Sequence, residues 1–336
     1  MKNIIMNKNK NIKALSLLSG GLDSFLASCM VKEQGINITA LHFSNLFTKK
    51  DNLPQKQSEK LDIPYREEFI GEDFLDILKN PVYGYGKNLN PCIDCRILML
   101  KKTKKILTRE NYDFVVTGEV LGQRPMSQKE RKIHLIAKKS GLRNKIVRPL
   151  SGQKFAATQA EKKGWILRED MLKITGRSRK KQLKLVEEYG FTDKDFSTPA
   201  GGCKLTNVEY SNKVRDLIEN NNLSVEDVKL LNWGRHFRSS KKFKFIVGRD
   251  HRENIHLQKQ WGWSDVKLHA KNYKGPLCLG KGRFLSRDIK IMAGVCGRYA
   301  DCYGAGKIKF NYYNSNSKKE IKVVPFENNK IENYRI

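Results

Sequence analysis

Ser19-Gly20-Gly21-Leu22-Asp23-Ser24 constrains this chain more than any other stretch. It follows an apolar run, residues 12–18 (IKALSLL), that reads as a buried strand, and it opens into residues 25–34, which read as a helix. A strand, a double-glycine turn and a helix N-terminus together form a cradle for phosphate. Glycines let backbone approach phosphate oxygens with no Cβ in the way. The free N–H groups and the positive end of the helix dipole then favour the anion. Ser19 and Ser24 add hydroxyl donors, and Asp23 is suited to holding a metal ion that itself binds phosphate.

The chain lacks G-x-x-x-x-G-K-[ST] and G-x-G-x-x-G at this place, which excludes the P-loop and dinucleotide fingerprints there. The string SGGLDS instead resembles the PP-loop signature of the ATP pyrophosphatase superfamily. That resemblance implies ATP with Mg²⁺, cleaved between its α- and β-phosphates to leave AMP on a substrate oxygen. It also implies that Ser19, Gly20, Gly21, Asp23 and Ser24 form the ATP site.

Composition narrows the partner. The 336 residues are enough for two or three domains, and 39% hydrophobic residues support real cores. A net charge of +30 lies far outside the usual globular range and attracts polyanions, of which nucleic acid is the commonest. An AT-biased genome explains Lys over Arg but not the scarcity of acids. The chain has no run of roughly 18 to 20 apolar residues that would span a bilayer, so no membrane partner is expected. Residues 1–13 have no apolar core or cleavage site of a secretory signal, which places the protein in the cytoplasm as an expectation. Seven cysteines are then reduced thiols, metal ligands or catalytic groups rather than a disulfide framework.

Along the first half, strand-like and helix-like segments alternate: strands at 38–44, 63–69 and 113–117, helices at 56–61, 73–78 and 95–111. Such alternation predicts a parallel sheet with helices on both faces, whose ligands sit at the carboxyl ends of the strands. Residues 177–190 (RSRKKQLKLVEEYG) predict a helix whose basic first turn opposes the dipole; an RNA phosphate contact or a solvated turn would each account for it. From about residue 222 short β-like runs at 242–247 and 266–269 sit among Gly, Asn and Arg clusters. Residues 222–336 hold 24 Lys and Arg against 10 Asp and Glu, a net +14 with aromatics interleaved, as a phosphate-binding surface would have.

Cys92 and Cys95 form C-x-x-C in Asn90-Pro91-Cys92-Ile93-Asp94-Cys95-Arg96 at the start of a helix. The spacing is compatible with redox work, half a zinc site, or two ligands of an iron–sulfur cluster. Cys203 closes the loop Ser197-Thr198-Pro199-Ala200-Gly201-Gly202, which is suited to exposing a side chain. Three thiolates near a nucleotide would hold a [4Fe–4S] cluster with one iron open, or would serve as persulfide carrier and resolving thiol. Cys29 is expected in the core. Cys296 and Cys302 are a weaker candidate zinc pair.

With these cysteines the resemblance becomes narrower. SGGLDS, NPCIDCR and DFVVTGEVLGQRP resemble the tRNA 2-thiouridylases and, more distantly, the 4-thiouridine synthetases, over residues 12 to 205. The C-x-x-C with a distant cysteine also resembles cluster-dependent tRNA thiolases. Gly234-Arg235-His236-Phe237-Arg238 and Phe245-Ile246-Val247-Gly248-Arg249-Asp250 resemble the NFACT-R type of RNA-binding domain, over about 225 to 300. These resemblances imply that Cys92, Cys95 and Cys203 handle the sulfur. The chain departs by carrying Glu119 where the 2-thiouridylases have a histidine. Neither a THUMP-like domain nor the N-terminal zinc fingers of some cluster-dependent thiolases is expected before the motif.

The sequence therefore predicts an α/β protein. A PP-loop (HUP-like) ATP-binding domain is expected at 1–150, a helical and loop extension carrying Cys203 at 151–221, and a smaller basic α+β RNA-binding domain at 222–336. The expected function is tRNA uridine thiolation. Asp23, Cys92, Cys95 and Cys203 are the catalytic residues, and the three cysteines are the candidate cluster ligands. ATP, Mg²⁺ and a [4Fe–4S] cluster, or a persulfide in its place, are the cofactors, with tRNA and a sulfur donor (a cysteine desulfurase product or sulfide) as partners. The alternative is a small-molecule enzyme of the same superfamily, such as a deazapurine-nitrile synthase or a sulfur-inserting cofactor enzyme. Glu119, Gln123 and Arg124 are expected either to line the pocket or to form a structural loop.

Overall fold

The computed structural model describes residues 11–48, 51–197, 202–302, 304–315 and 317–336. The expected N-terminal segment before residue 11 and Thr198-Pro199-Ala200-Gly201 of the Cys203 loop lie outside the described residues. The chain divides into two compact units, Met1–Thr206 and Asn207–Ile336.

In the first unit the elements are β1 (Lys13–Leu17), α1 (Leu22–Lys32), β2 (Asn37–Ser44), α2 (Leu53–Lys60), β3 (Tyr65–Phe69) and α3 (Gly71–Lys79). They continue with α4 (Cys92–Arg109), β4 (Phe114–Thr117), α5 (Glu130–Ser140), β5 (Ile146–Val147), α6 (Gln159–Lys162) and α7 (Lys180–Glu188). The five strands form one sheet in the order β3-β2-β1-β4-β5, every pair parallel. Parallel pairing needs a crossover between consecutive strands, and the helices supply it. β4 is buried along its whole length, so it reads as a continuous apolar run rather than an alternating one. α1 is buried from Leu22 to Val31, which explains why its sequence is apolar on all sides. Its polar Ser28 is satisfied by Ser16 at 2.8 Å and by the Ser24 carbonyl at 3.0 Å.

The strand order reverses between β1 and β4. Such a switch point leaves a crevice at the carboxyl ends of the two strands. α1 begins three residues earlier than its apolar periodicity suggests, because Leu22, Asp23 and Ser24 are themselves the first helical turn. The sequence pattern missed α5 and β5: α5 is strongly basic with few apolar positions, and β5 has only two residues.

The second unit contains α8 (Val208–Glu219), α9 (Val225–Leu230), β6 (Arg235–Ser240), β7 (Phe243–Val247), α10 (His251–Lys259) and β8 (Val266–Ala270). It ends with β9 (Cys278–Gly282), α11 (Ser286–Arg298), β10 (Ile308–Asn314), β11 (Ser317–Val323) and α12 (Asn328–Glu332). Its six strands form an antiparallel sheet in the order β11-β10-β8-β9-β7-β6. α11 lays Ile289, Met292, Ala293 and Cys296 against Phe243, Phe245, Leu268 and Phe310 of one sheet face. α10 covers only part of the other face, with Leu257 packed on Ile246 and Leu279. Cys278, Cys296 and Cys302 are buried in the first of these cores, and the Cys302 thiol donates to the Gly297 carbonyl at 3.2 Å. The candidate zinc pair is thus two small core side chains.

Candidate active site

Gly20 adopts φ +78°, a conformation that strains any residue with a Cβ, and Gly21 leaves an extended backbone before the helix. Ser24 braces the turn from inside. Its hydroxyl accepts from the Ser19 N–H at 3.2 Å and donates to the Gly21 carbonyl at 2.9 Å. From outside, Ser197 N–H donates to the Gly20 carbonyl at 2.8 Å, and Gln57 Nε2 reaches the same carbonyl at 3.2 Å. The loop is therefore held open before any ligand arrives, with its donors at the end of β1.

Gly118 closes the floor. A Cβ there would stand 2.4 Å from the Asp23 carbonyl carbon and the Ser24 nitrogen, so only glycine lets the exit of β4 touch the first turn of α1. The next residue, Glu119, is buried. It pairs with Arg148 at 2.8 Å and with Arg96 at 3.4 Å. Burial alone would raise its carboxyl pKa, but the two guanidinium groups outweigh burial and hold it below the ordinary value.

Asp23 sits at the centre. Gln123 Nε2 donates to one carboxylate oxygen at 2.5 Å and Gln182 Nε2 to the other at 3.3 Å, while Arg179 stands 4.0 Å away. Gln182 and Arg179 come from the start of α7. Arg179 turns toward the loop, and Arg177, Lys180 and Lys181 stay exposed. Arg124 lies at the mouth. The protein around it, then Arg96 and Arg179, push its guanidinium below the ordinary value against the pull of Asp23. Four arginines (Arg96, Arg124, Arg148, Arg179) thus face two carboxylates, leaving about two positive charges uncompensated next to the loop. Sequence reasoning missed Arg96, Arg148, Arg179 and Gln182. They lie on three separate segments, and only Arg179 and Gln182, one turn apart at the start of α7, are related by spacing.

The oxygens around Asp23 suit a hard divalent cation. Gln182 Oε1 is buried without a hydrogen-bond partner, so a turn of that amide would offer a second oxygen beside the carboxylate.

Cys92 and Cys95 occupy the first turn of α4, and the Asp94 carboxylate accepts from the backbone of Val82 and Tyr83, both at 3.1 Å, fixing that end. Cys203 reaches them through two tethers. Lys204 N–H donates to the Phe47 carbonyl at 2.8 Å, and Leu205 and Thr206 carbonyls accept from Leu89 N–H and the Asn88 amide. The expected exposed Cys203 is half-buried, because these tethers draw its loop onto the segment preceding α4. Burial, and then the neighbouring thiols, push Cys95 up to about 12; burial pushes Cys203 up to about 11. Burial raises Cys92 as well, with Arg96 and Arg124 pulling the other way. The three thiols act electrostatically on one another. Among the described residues, however, no three His, Cys, Asp or Glu side chains stand in joint reach of one metal ion. Cluster ligands bind separate irons rather than one ion, so the three cysteines are left as candidates for either sulfur route.

Residues 10–158 match the family model described as thiamine biosynthesis protein (ThiI), and residues 234–335 match the one described as NFACT protein RNA binding domain. The first match covers under half of the chain and the second under a third, so each shows a likeness of that segment alone. The ThiI match spans the loop, the C-x-x-C pair and Glu119, and stops short of Arg179, Gln182 and Cys203. A tRNA sulfurtransferase of Desulfurococcus amylolyticus is 30% identical over 146 residues, covering 42% of this chain and 30% of that protein. The tRNA-specific 2-thiouridylase MnmA of Natranaerobius thermophilus is 28% identical over 127 residues, 32% of this chain and 34% of that protein. The chain thus spans about a third of the length of these curated relatives. A 4-thiouridine synthetase solved with RNA and bound ATP aligns with a TM-score of 0.36 at 21% identity, covering 54% of this chain and 53% of that one. Among the described residues no helix is long and apolar enough to cross a membrane.

Proposed function

We propose that this chain is a cytoplasmic, ATP-dependent sulfurtransferase that converts a uridine of tRNA to a thiouridine. The observation that carries the reading is the gathering of three elements at the carboxyl ends of β1 and β4. These are a phosphate loop, an under-neutralised arginine cluster and three thiols. The names of the relatives point to the same reaction.

ATP lies with its β- and γ-phosphates on the Ser19–Ser24 loop, and Asp23 holds the accompanying Mg²⁺. The uridine carbonyl oxygen attacks the α-phosphorus and pyrophosphate leaves. Arg124 and Arg179 stabilise the charge that builds on the departing phosphates, an interaction worth most in a pocket shielded from water. AMP on the base is a far better leaving group than oxide, which is why the nucleotide is consumed. A persulfide on one of Cys92, Cys95 and Cys203 attacks the activated carbon and AMP departs. A second thiol then attacks the sulfur bonded to the carbon's new substituent from the protein side, forming a disulfide and releasing the thiocarbonyl base. The outer persulfide sulfur arrives already at the sulfane level, passed from the persulfide of a cysteine desulfurase to the thiolate with release of the desulfurase thiol; free sulfide would serve only the cluster route. In the alternative sulfur route Cys92, Cys95 and Cys203 would be the ligands of a [4Fe–4S] cluster, which would supply sulfur to the activated base.

The test is incubation of the purified protein with ATP, unmodified tRNA, cysteine, a cysteine desulfurase and a thiol reductant, followed by mass analysis of the nucleosides. Thiouridine and AMP in equal amounts are expected, with thiouridine lost in Cys203→Ala and AMP formation retained. AMP formation that ignores tRNA would overturn the reading. Iron and sulfide analysis after anaerobic purification separates the two sulfur routes.

A further inference from the structure

The RNA-binding unit carries a cavity that the thiolation reading does not use. It has a volume of about 580 Å³ and opens between the start of α10, the turn after β8 and the end of α11. Arg249, Asn254, His269, Tyr273, Lys274 and Tyr299 line it. Its walls are fixed. Asn254 Oδ1 accepts from Leu277 N–H at 2.9 Å, and the Tyr299 hydroxyl accepts from Arg335 Nη2 at 3.0 Å, with the Arg235 guanidinium 4.2 Å from the Tyr299 ring centre. Asp250, also on the rim, spends its carboxylate capping α10, where it accepts from Glu253 N–H at 2.9 Å. Tyr273 remains 41% exposed on the cavity wall.

His269 on the cavity wall belongs also to the outward face of β8. Along β8, Val266, Leu268 and Ala270 are buried while Lys267 and His269 face outward. His269 stacks on Tyr313 of β10 with ring centres 5.8 Å apart, and Lys267 lies 4.9 Å from the Tyr313 ring and 5.2 Å from Trp261. Lys318 of β11 approaches Tyr313 from the other side at 5.6 Å. Alternating rings and cations of this kind form a track for a chain of bases and phosphates. A protein partner would call for a core depleted in lysine. The second unit has 26 Lys and Arg against 13 Asp and Glu, which selects an anionic polymer.

We propose that this cavity receives one unstacked nucleotide of a single-stranded RNA segment, the flanking residues of which lie along Lys267, Tyr313 and Lys318. The volume lies within the range of small-ligand pockets, and only a base out of its stack offers two faces to Tyr273 and His269. The phosphates fall to Lys274 and Lys267, since the Arg249 guanidinium is held by Glu253. The inference deepens the reading of tRNA as substrate, because it selects a loop or a 3′ single strand over a helical stem.

The experiment measures binding of a labelled ten-nucleotide single strand, and of its duplex, to the full chain by fluorescence anisotropy at several salt concentrations without ATP. The single strand is expected to bind more tightly than the duplex. Tyr273→Ala and His269→Ala should each weaken the single strand roughly tenfold with the salt slope unchanged, and Lys274→Ala should lower the slope by about one. Wild-type affinity in both ring variants, equal losses for strand and duplex, or an acidic peptide competing as well as RNA would overturn the proposal. Melting curves of the variants show whether they are folded. Strand binding that responds as expected in a chain that makes no thiouridine would sink the thiolation reading alone.

Discussion

Gln182 donates to Asp23 at 3.3 Å and to Gln123 Oε1 at 3.0 Å, so residues far apart in the chain converge on one carboxylate. The phosphate loop is therefore completed by α7, which lies outside the ThiI match. This arrangement makes specific demands on substitutions.

Asp23→Asn should abolish most pyrophosphate release, with a drop of about 10² or more if the carboxylate organises charge in the transition state. Gln182→Leu should cost less in rate, since Gln123 still holds Asp23. A coupled pyrophosphate assay on both variants checks the order; near-wild-type release in Asp23→Asn would remove the role assigned to it.

Gly118→Ala would force a methyl group to 2.4 Å from the Asp23 carbonyl carbon. Overpacking against backbone costs about 1–3 kcal/mol, so the melting temperature should fall and ATP binding should weaken together. Unchanged melting would show that the exit of β4 has room to move.

Glu119 yields an acid prediction. Its folded pKa is held below the unfolded value, so it contributes stability above the ordinary carboxylate range, and that contribution is lost as pH falls through the folded pKa. Urea unfolding between pH 6 and 4 should show a smaller loss of stability in Glu119→Gln than in the wild type. Arg148→Met, which leaves the buried carboxylate with Arg96 alone, should destabilise by about 3 kcal/mol or more at neutral pH.

Lys244 behaves in the opposite sense. Burial, opposed by Asp216 at 3.3 Å and aided by Arg238, lowers it to about 8. Between that value and the ordinary lysine range the unfolded chain holds the proton and the folded one does not, so stability from this group rises with pH there. Lys244→Met should be more stable than wild type near neutrality by on the order of 3 kcal/mol at most, the gap closing as pH rises from 8 toward the unfolded value. Tryptophan fluorescence follows it, since Trp233, Trp261 and Trp263 all lie in the second unit.

Thiol reactivity should follow burial and charge. Burial raises all three thiols, Cys95 to about 12 and Cys203 to about 11, while at Cys92 the nearby Arg96 and Arg124 offset part of the rise. Iodoacetamide at pH 8 should modify Cys92 first and Cys95 most slowly, as read by peptide mass analysis.

Local chemistry made much of this protein legible in its sequence. SGGLDS after an apolar strand specified a phosphate loop because only glycines and small hydroxyls fit that turn, and those constraints act within six residues. Alternating apolar segments specified the parallel sheet, and the basic tail a polyanion surface, because periodicity and charge are carried by the chain itself. Tertiary structure alone decided the rest. The tethers at Phe47, Asn88 and Leu89 bring Cys203 to α4, and α7 turns Arg179 and Gln182 onto Asp23. An arginine on a surface helix and one aimed into a pocket are spelled identically. What separates them is the packing of distant segments, whose hydrogen bonds and burial no local pattern records.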